Sequence, residues 1–224
     1  MKDIHVRVKK ILDELEQTNE DLLALADDIW LSIDHNDNDS LQEGVAFKKE
    51  YNEKVTAFDR LSGELSQLVQ SYMGISLEIE EESTTDYSEN QRIIKALDKR
   101  EKHYLNEDFT YKIPFGFSIE GKGFKGVDKW KQMYLITLRY LFDTKRDFTD
   151  VLNAKEFVSN RGNRDFSTNP AEMRSAKLIA NDIYAETNLS AKSITERLIK
   201  LMDYFSIDRK EFIIYLQEDR DWRQ

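Results

Sequence analysis

Apolar residues recur at alternating intervals of four and three along the first 32 residues. This heptad spacing is typical of a helix that packs in a coiled coil. The first series consists of Ile4, Val8, Ile11, Leu15, Thr18, Leu22, Leu25, Ile29 and Ser32. After a polar stretch at 34–40, a second series consists of Phe47, Tyr51, Lys54, Phe58, Leu61, Leu65, Leu68 and Tyr72. Residues 1–77 therefore predict an antiparallel coiled-coil helical hairpin.

Both helices carry more apolar residues than one coiled-coil contact requires. The additional residues are Leu12, Leu23, Trp30, Ile33, Val45, Val55 and Val69. Leaving them in water costs about 25 cal/mol per Å², so we expect another element to cover them. A third helix of the same chain is one candidate. A second copy that completes a four-helix homodimer is the other, and it is favoured because arms of about 45 Å exceed a compact domain.

The segment 78–106 separates the hairpin from the rest of the chain. Residues 78–89 are acidic and polar without a strong pattern, which is typical of a linker. Residues 89–105 are predicted to form a third helix, with Ile93, Ile94, Leu97 and Leu105 on its apolar side.

From residue 107 onward, strand-like and helical patterns alternate. Short stretches that favour strands lie at 109–113, 115–119, 124–125, 174–180 and 183–187. Residues 127–142 are apolar on nearly every side, which is typical of a buried helix. An amphipathic helix ending at Phe205 follows the last of these strands, and 211–216 forms a further strand or helix. We therefore predict a small α+β interaction domain at 107–224, and for the whole chain an α+β fold that is mostly helical.

The absence of cysteine and of any long apolar run limits the compartments in which we expect the protein. Without cysteine, disulfides and thiolate chemistry are excluded, and the sequence predicts a cytoplasmic protein with no membrane association. The net charge of −10 is unevenly spread, because residues 1–110 carry −13 and residues 111–205 carry +4. The two halves are therefore expected to meet different partners.

Several basic residues of the C-terminal region are candidates for a binding surface. They are Arg161, Arg164, Arg174, Lys177 and Lys192, and Tyr184 lies among them. If they converge, they can hold a nucleic-acid backbone or bind a protein partner. If they do not, they form an ordinary solvated surface. A protein partner is favoured over nucleic acid because the whole chain repels polyanions at long range.

An alternative hypothesis is a metal-dependent nuclease subunit. Asp108, Glu120 and Lys122 follow the order of the Asp…Glu-x-Lys nucleases, in which two carboxylates hold Mg²⁺ and the lysine positions water. The glycines on both sides of Lys122 also suit a tight turn, which is the simpler interpretation.

Other motif-like stretches also favour turns. Residues 121–126 match G-x-G-x-x-G, but no repeated strand–helix alternation follows. Asp34, Asn36 and Asn38 resemble the start of a calcium loop, but the loop's glycine and closing glutamate are missing. The histidines are scattered and show no metal-ligand spacing. We therefore predict no cofactor and no metal site.

The C-terminal region also resembles a known module. The matching residues are Ile113-Pro-Phe-Gly-Phe117, Trp130, Phe148, Arg164-Asp-Phe-Ser167 and Tyr184-Ala-Glu-Thr-Asn-Leu-Ser-Ala191. The module resembled is found in uncharacterised bacterial and phage proteins, some of them linked to restriction or anti-phage systems. The resemblance implies a setting in defence or counter-defence and no residue roles. The sequence thus predicts a non-enzymatic interaction protein that oligomerises through its hairpin and binds a partner through its C-terminal domain.

Overall fold

The computed structural model describes residues 2–74, 87–159 and 162–218. The chain divides into two compact units, Met1–Glu80 and Glu81–Gln224. Within the described residues, the first unit contains a pair of long α-helices, and the second contains two antiparallel sheets, three α-helices and four short 3-10 helices. The predicted fold class, a helical hairpin followed by a small α+β domain, is confirmed.

The first unit is a hairpin of α1 (Lys2–Ser32) and α2 (Asn38–Met73). The polar stretch between them ends the first helix and starts the second. The Asp37 side chain accepts a hydrogen bond from the Ser40 amide, which satisfies a free N–H at the start of α2. Gly74 ends α2 with φ of 62°, a left-handed conformation that glycine adopts without strain. Asp34 accepts from the Asn36 amide in the same turn.

The second unit has its own elements. In chain order they are α3 (Tyr87–Leu97), β1 (His103–Tyr104), β2 (Pro114–Ile119), β3 (Lys122–Lys125), α4 (Trp130–Thr144), β4 (Phe166–Ser167), β5 (Ala176–Ala180), β6 (Ile183–Glu186), α5 (Ala191–Tyr204) and β7 (Phe212–Leu216). The strands form two antiparallel sheets with the orders β1-β7-β2-β3 and β4-β6-β5. The segment expected as a last strand or helix is therefore a strand, and it lies inside the larger sheet.

The core of this unit is built around α4, as its almost wholly apolar sequence predicts. Trp130, Met133, Leu138 and Leu141 on this helix have at most 1% of their surface exposed. α5 contributes the apolar face predicted from its amphipathic pattern. Its N-cap is Ser190, whose hydroxyl accepts from the Ser193 amide at 3.3 Å.

The third helix packs on the larger sheet. The Asn90 side chain accepts from the Gly123 amide and donates to the Gly121 carbonyl, both at 2.9 Å. Gly123 also leaves room for the helix, because a Cβ there would lie 2.8 Å from Ile94 Cδ1. α3 therefore belongs to the second unit. The linker residues 78–86 lie outside the described residues.

Candidate interaction surface

The side on which the two hairpin helices meet is marked by three hydrogen bonds. Asn19 Nδ2 donates to Asp59 Oδ1 at 3.0 Å, and Lys48 Nζ donates to the Ala26 carbonyl at 3.0 Å. The Tyr51 hydroxyl donates to the Leu22 carbonyl at 2.9 Å. Near the turn, a Cβ on Gly44 would collide with the Ile33 side chain, so the residue that follows α1 packs directly on α2.

On both helices, most residues of this contact side lie one position after a residue of the heptad series. The positions that follow the series residues are buried or half-buried at Leu12, Glu16, Asn19, Leu23, Ala26, Trp30 and Ile33, and at Lys48, Asn52, Val55, Asp59, Ser62, Ser66, Val69 and Met73. One residue is a rotation of about 100° around a helix. The flanking apolar residues thus pack inside the hairpin, which corrects our expectation that another element covers them; only Val45 is exposed.

The heptad series themselves remain largely exposed. Ile11 is 50% exposed, and Leu61, Leu68 and Tyr72 are 64%, 66% and 89% exposed. Six members of the two series, Val8, Leu15, Leu22, Ile29, Tyr51 and Phe58, are half-buried and border the contact between the helices, whereas the other members are exposed. The neighbouring side holds the helices together with both apolar and polar contacts, since Leu12 and Val55 are buried there beside the Asn19–Asp59 hydrogen bond.

Both series lie on the same broad side of the hairpin. On each helix the series lies one residue before the contact residues, which is a turn of about 100° around the helix axis. Because the two helices run in opposite directions, this turn points both series toward the same side of the plane that contains the two helix axes. At one point along the hairpin, a groove of about 410 Å³ is lined by Leu22 from α1 together with Phe47, Tyr51 and Phe58 from α2, so these members of the two series lie on one side. We call the surface formed by the two heptad series the seam face.

The seam face has the dimensions of a stable protein interface. Two helices about 45 Å long and about 10 Å wide each present about 900 Å² on one side. A stable complex needs about 800 Å² from each partner. The hairpin alone therefore offers enough surface for a specific contact.

The predicted basic surface is only partly brought together. Lys177 on β5 and Tyr184 on β6 belong to the same pair of strands, and Arg174 precedes them with its Nε 3.9 Å from Glu186 Oε2. Arg164 precedes β4 on the opposite side of β6, and its guanidinium donates to the Leu152 carbonyl at 2.9 Å. Lys192 lies in the first turn of α5, and Arg161 lies outside the described residues.

The stretch 184–191, the longest match to the resembled module, has a structural role that the sequence did not reveal. Glu186 is 6% exposed, and its carboxylate accepts from the backbone amides of Arg174 at 2.8 Å, Ser175 at 3.2 Å and Asn188 at 2.8 Å. The Thr187 hydroxyl donates to the Ser175 carbonyl at 2.8 Å. These bonds fix the segment before β5 to the end of β6.

A second polar cluster lies between α4, α5 and β4. Arg197 Nε donates to Asp165 Oδ1 at 2.9 Å, and Asp165 is 9% exposed. Tyr134 is fully buried close to both residues, and this burial raises the pKa of its phenol. The structure shows no hydrogen-bond partner for the Tyr134 hydroxyl among the residues that it describes.

We expect Tyr134→Phe to raise the free energy of unfolding by about 1 kcal/mol, because a buried hydroxyl without a partner costs about 1–3 kcal/mol. Tyr215→Phe is the matched control. The Tyr215 hydroxyl donates to Asp98 Oδ1 at 2.9 Å, so its loss should lower the free energy of unfolding by about 1 kcal/mol. Urea unfolding of both variants measures the difference. Equal destabilisation by the two changes would contradict the assignment.

The residues of the nuclease hypothesis have separate local partners. Asp108 accepts from the Thr110 amide and hydroxyl, and these bonds lower the pKa of its carboxyl. Glu120 lies in the tight turn between β2 and β3 with φ of 46°, and it accepts from Lys145 Nζ at 2.8 Å. Lys122 Nζ lies 5.5 Å from the ring centre of Phe124. In the described ranges, no group of three or more histidine, aspartate or glutamate residues could hold a metal ion.

Sequence reasoning missed a second groove of about 890 Å³ in the C-terminal unit. Tyr104, Ile199 and Arg209 are among the residues that line it. The arginine is already engaged, because its Nε donates to Asp203 Oδ1 at 2.7 Å. Asp203, Asp208 and Lys210 also line the groove, so side chains of both charges border it.

Comparisons with known proteins assign neither a family nor a function to the chain. No protein-family model matches the chain. No curated protein and no solved structure matches it either. Within the part of the chain that the structure describes, no helix is both long enough and apolar enough to cross a membrane.

Proposed function

We propose that the protein is a non-enzymatic interaction protein that forms a homodimer through the seam face. One observation carries the proposal: the hairpin forms its internal contact mainly on the neighbouring side and leaves most members of both heptad series exposed. A heptad series is suited to packing against another helix. A second hairpin supplies two such helices and completes a four-helix bundle.

The distribution of exposed apolar side chains supports this surface over any other. Among the described residues, fifteen large apolar or aromatic side chains are exposed, and eight of them belong to the seam face, whereas Val6, Leu31 and Val45 are exposed elsewhere on the hairpin. Isolated exposed apolar residues are ordinary, but a concentrated patch marks an interaction site. The seam face is therefore favoured as an interaction site over the other exposed surfaces.

Size and shape favour a second copy as the partner. The face extends along both helices, so the partner must be equally long to cover it. A second hairpin matches this length and carries both apolar series. The groove at Leu22, Phe47 and Phe58 and the highly exposed side chains elsewhere on the same face give each copy recesses and projections that suit a self-complementary contact.

The homodimer is tested by sedimentation velocity of the full chain over a range of concentrations. A monomer has a mass of 26.4 kDa, and we expect the principal species at micromolar concentration to have twice this mass. A species of 26.4 kDa at every concentration would contradict the proposed function.

For the second unit we propose a protein partner that presents an acidic segment. Support comes from the strand pair β5–β6, where Leu178 is 50% exposed beside Tyr184, with Arg174 and Lys177 nearby. The resemblance to bacterial and phage modules suggests a cytoplasmic setting in defence or counter-defence.

A nucleic-acid binding assay tests the choice of partner class for the second unit. We expect no binding of a labelled single- or double-stranded oligonucleotide at about 50 mM salt, because the net charge of −10 opposes it. The proposed protein partner would be wrong if an oligonucleotide binds, if this binding weakens steeply with salt, and if the double variant Arg174→Glu, Lys177→Glu abolishes it. Nucleic acid would then be the partner.

A further inference from the structure

The negative charge of the hairpin is concentrated toward one end. We divide the hairpin at its middle into a loop half, residues 18–59, and an open half, residues 2–17 and 60–74. The loop half carries a net charge of −8, whereas the open half carries none. Within the open half, the first ten residues of the chain carry +3. The hairpin therefore has an acidic half and a half that ends in a basic tip.

The seam face shows a matching division of shape. The groove lined by Leu22, Phe47, Tyr51 and Phe58 lies in the loop half. The most exposed side chains of the seam face lie in the open half, where Leu61, Leu68 and Tyr72 are at least 64% exposed. Recesses and projections are thus at opposite ends of one surface.

These two divisions decide how two copies can face each other. If the loops of both copies lie at the same end, the two loop halves, each with a net charge of −8, lie against each other, and the groove of one copy faces the groove of the other. With the loops at opposite ends, each acidic half lies on a neutral half with a basic tip, and projecting side chains face a groove. Like charges opposed across an interface disfavour the first arrangement.

We propose that the two hairpins pack seam face to seam face in opposite directions, so that the open half of each copy lies on the loop half of its partner. This orientation rests on the homodimer proposed above. The two-fold axis then lies in the interface across the helices, which places α1 on the partner's α1 and α2 on the partner's α2. All neighbouring helices are antiparallel in this bundle.

Spin labels at the two ends of the hairpin test the orientation. The chain contains no cysteine, so Asn36→Cys at the loop and Ser71→Cys at the open end each provide one attachment site on an exposed residue. Pulsed electron–electron resonance on the full chain gives the distance between equivalent labels. We expect about 45 Å for both variants, because the labels lie at opposite ends of helices of about that length. A mixture of the two labelled variants should add a distance of about 20 Å between residue 36 of one copy and residue 71 of the other, the width of two packed helices.

The possible results separate this inference from the homodimer itself. Distances of about 20 Å between equivalent labels at either end would show a dimer with both loops together and would overturn the orientation alone. Absence of any distance between copies, with a single species of 26.4 kDa, would overturn the homodimer and the orientation with it. Light scattering of each labelled variant establishes which species is present before the distances are measured.

Discussion

Leu61→Glu combined with Leu65→Glu is expected to convert the dimer into a folded monomer. Both side chains are exposed in the isolated hairpin, at 64% and 45%, so charges there cost the monomer little. In the dimer the same carboxylates lose their water without gaining a partner. We expect the dissociation constant to rise by about a thousandfold or more, which corresponds to about 4 kcal/mol. Sedimentation velocity measures the association, and circular dichroism measures the helix content.

Two further variants make this result specific. Gly63→Glu with Gln67→Glu adds the same charges at the same spacing on the far side of α2, and a Cβ on Gly63 meets no atom within 4 Å. This control is expected to remain a dimer. Val55→Glu buries a charge inside the hairpin at a position that is 4% exposed, so it should unfold the hairpin. Equal loss of association in the far-side control would show a general effect of charge and contradict the assigned face.

Glu186→Ala is expected to lower the free energy of unfolding of the C-terminal unit by about 3 kcal/mol or more. The carboxylate accepts three backbone amides, and its removal leaves those amides without their partner. A hydrogen bond to a charged group contributes about 1.5–3 kcal/mol. Thermal unfolding should therefore begin about 10 °C lower.

The control for this change is Glu196→Ala on α5, where the side chain is exposed. It removes the same charge and should change the free energy of unfolding by less than about 0.5 kcal/mol. If Glu186→Ala is as stable as this control, the carboxylate does not hold the segment before β5. The stretch 184–191 would then need another explanation than a structural one.

The secondary structure could be predicted because it depends on local periodicity. The apolar character of residues 127–142 predicts the buried helix α4, and the alternation before Asn188 predicts β6. The arrangement of the sheets could not be predicted in this way. β7 pairs Tyr215 with Gly116, and nothing in either local pattern shows which distant strand its partner will be.

The candidate site shows a similar limit. Heptad spacing indicates that one side of a helix is apolar, but it does not show which element covers that side. The contact inside the hairpin combines apolar residues such as Leu12 and Val55 with the Asn19–Asp59 hydrogen bond, and a polar pair of this kind gives no apolar signal in the sequence. The basic residues show the same limit. Arg164 donates to the Leu152 carbonyl, and a backbone partner of this kind cannot be predicted from the positions of charged residues in the sequence.

Protection of a single thiol on the seam face is the most direct test of the central claim that a second copy covers this face. Leu61→Cys places a thiol on the face and Gln67→Cys places one on the far side, in a chain without other cysteines. We expect alkylation at position 61 to be slowed about tenfold or more where the dimer is populated, and to recover on dilution, because association removes the thiol from water. Alkylation at position 67 should not depend on concentration. Equal rates at position 61 in dilute and concentrated protein would contradict the account.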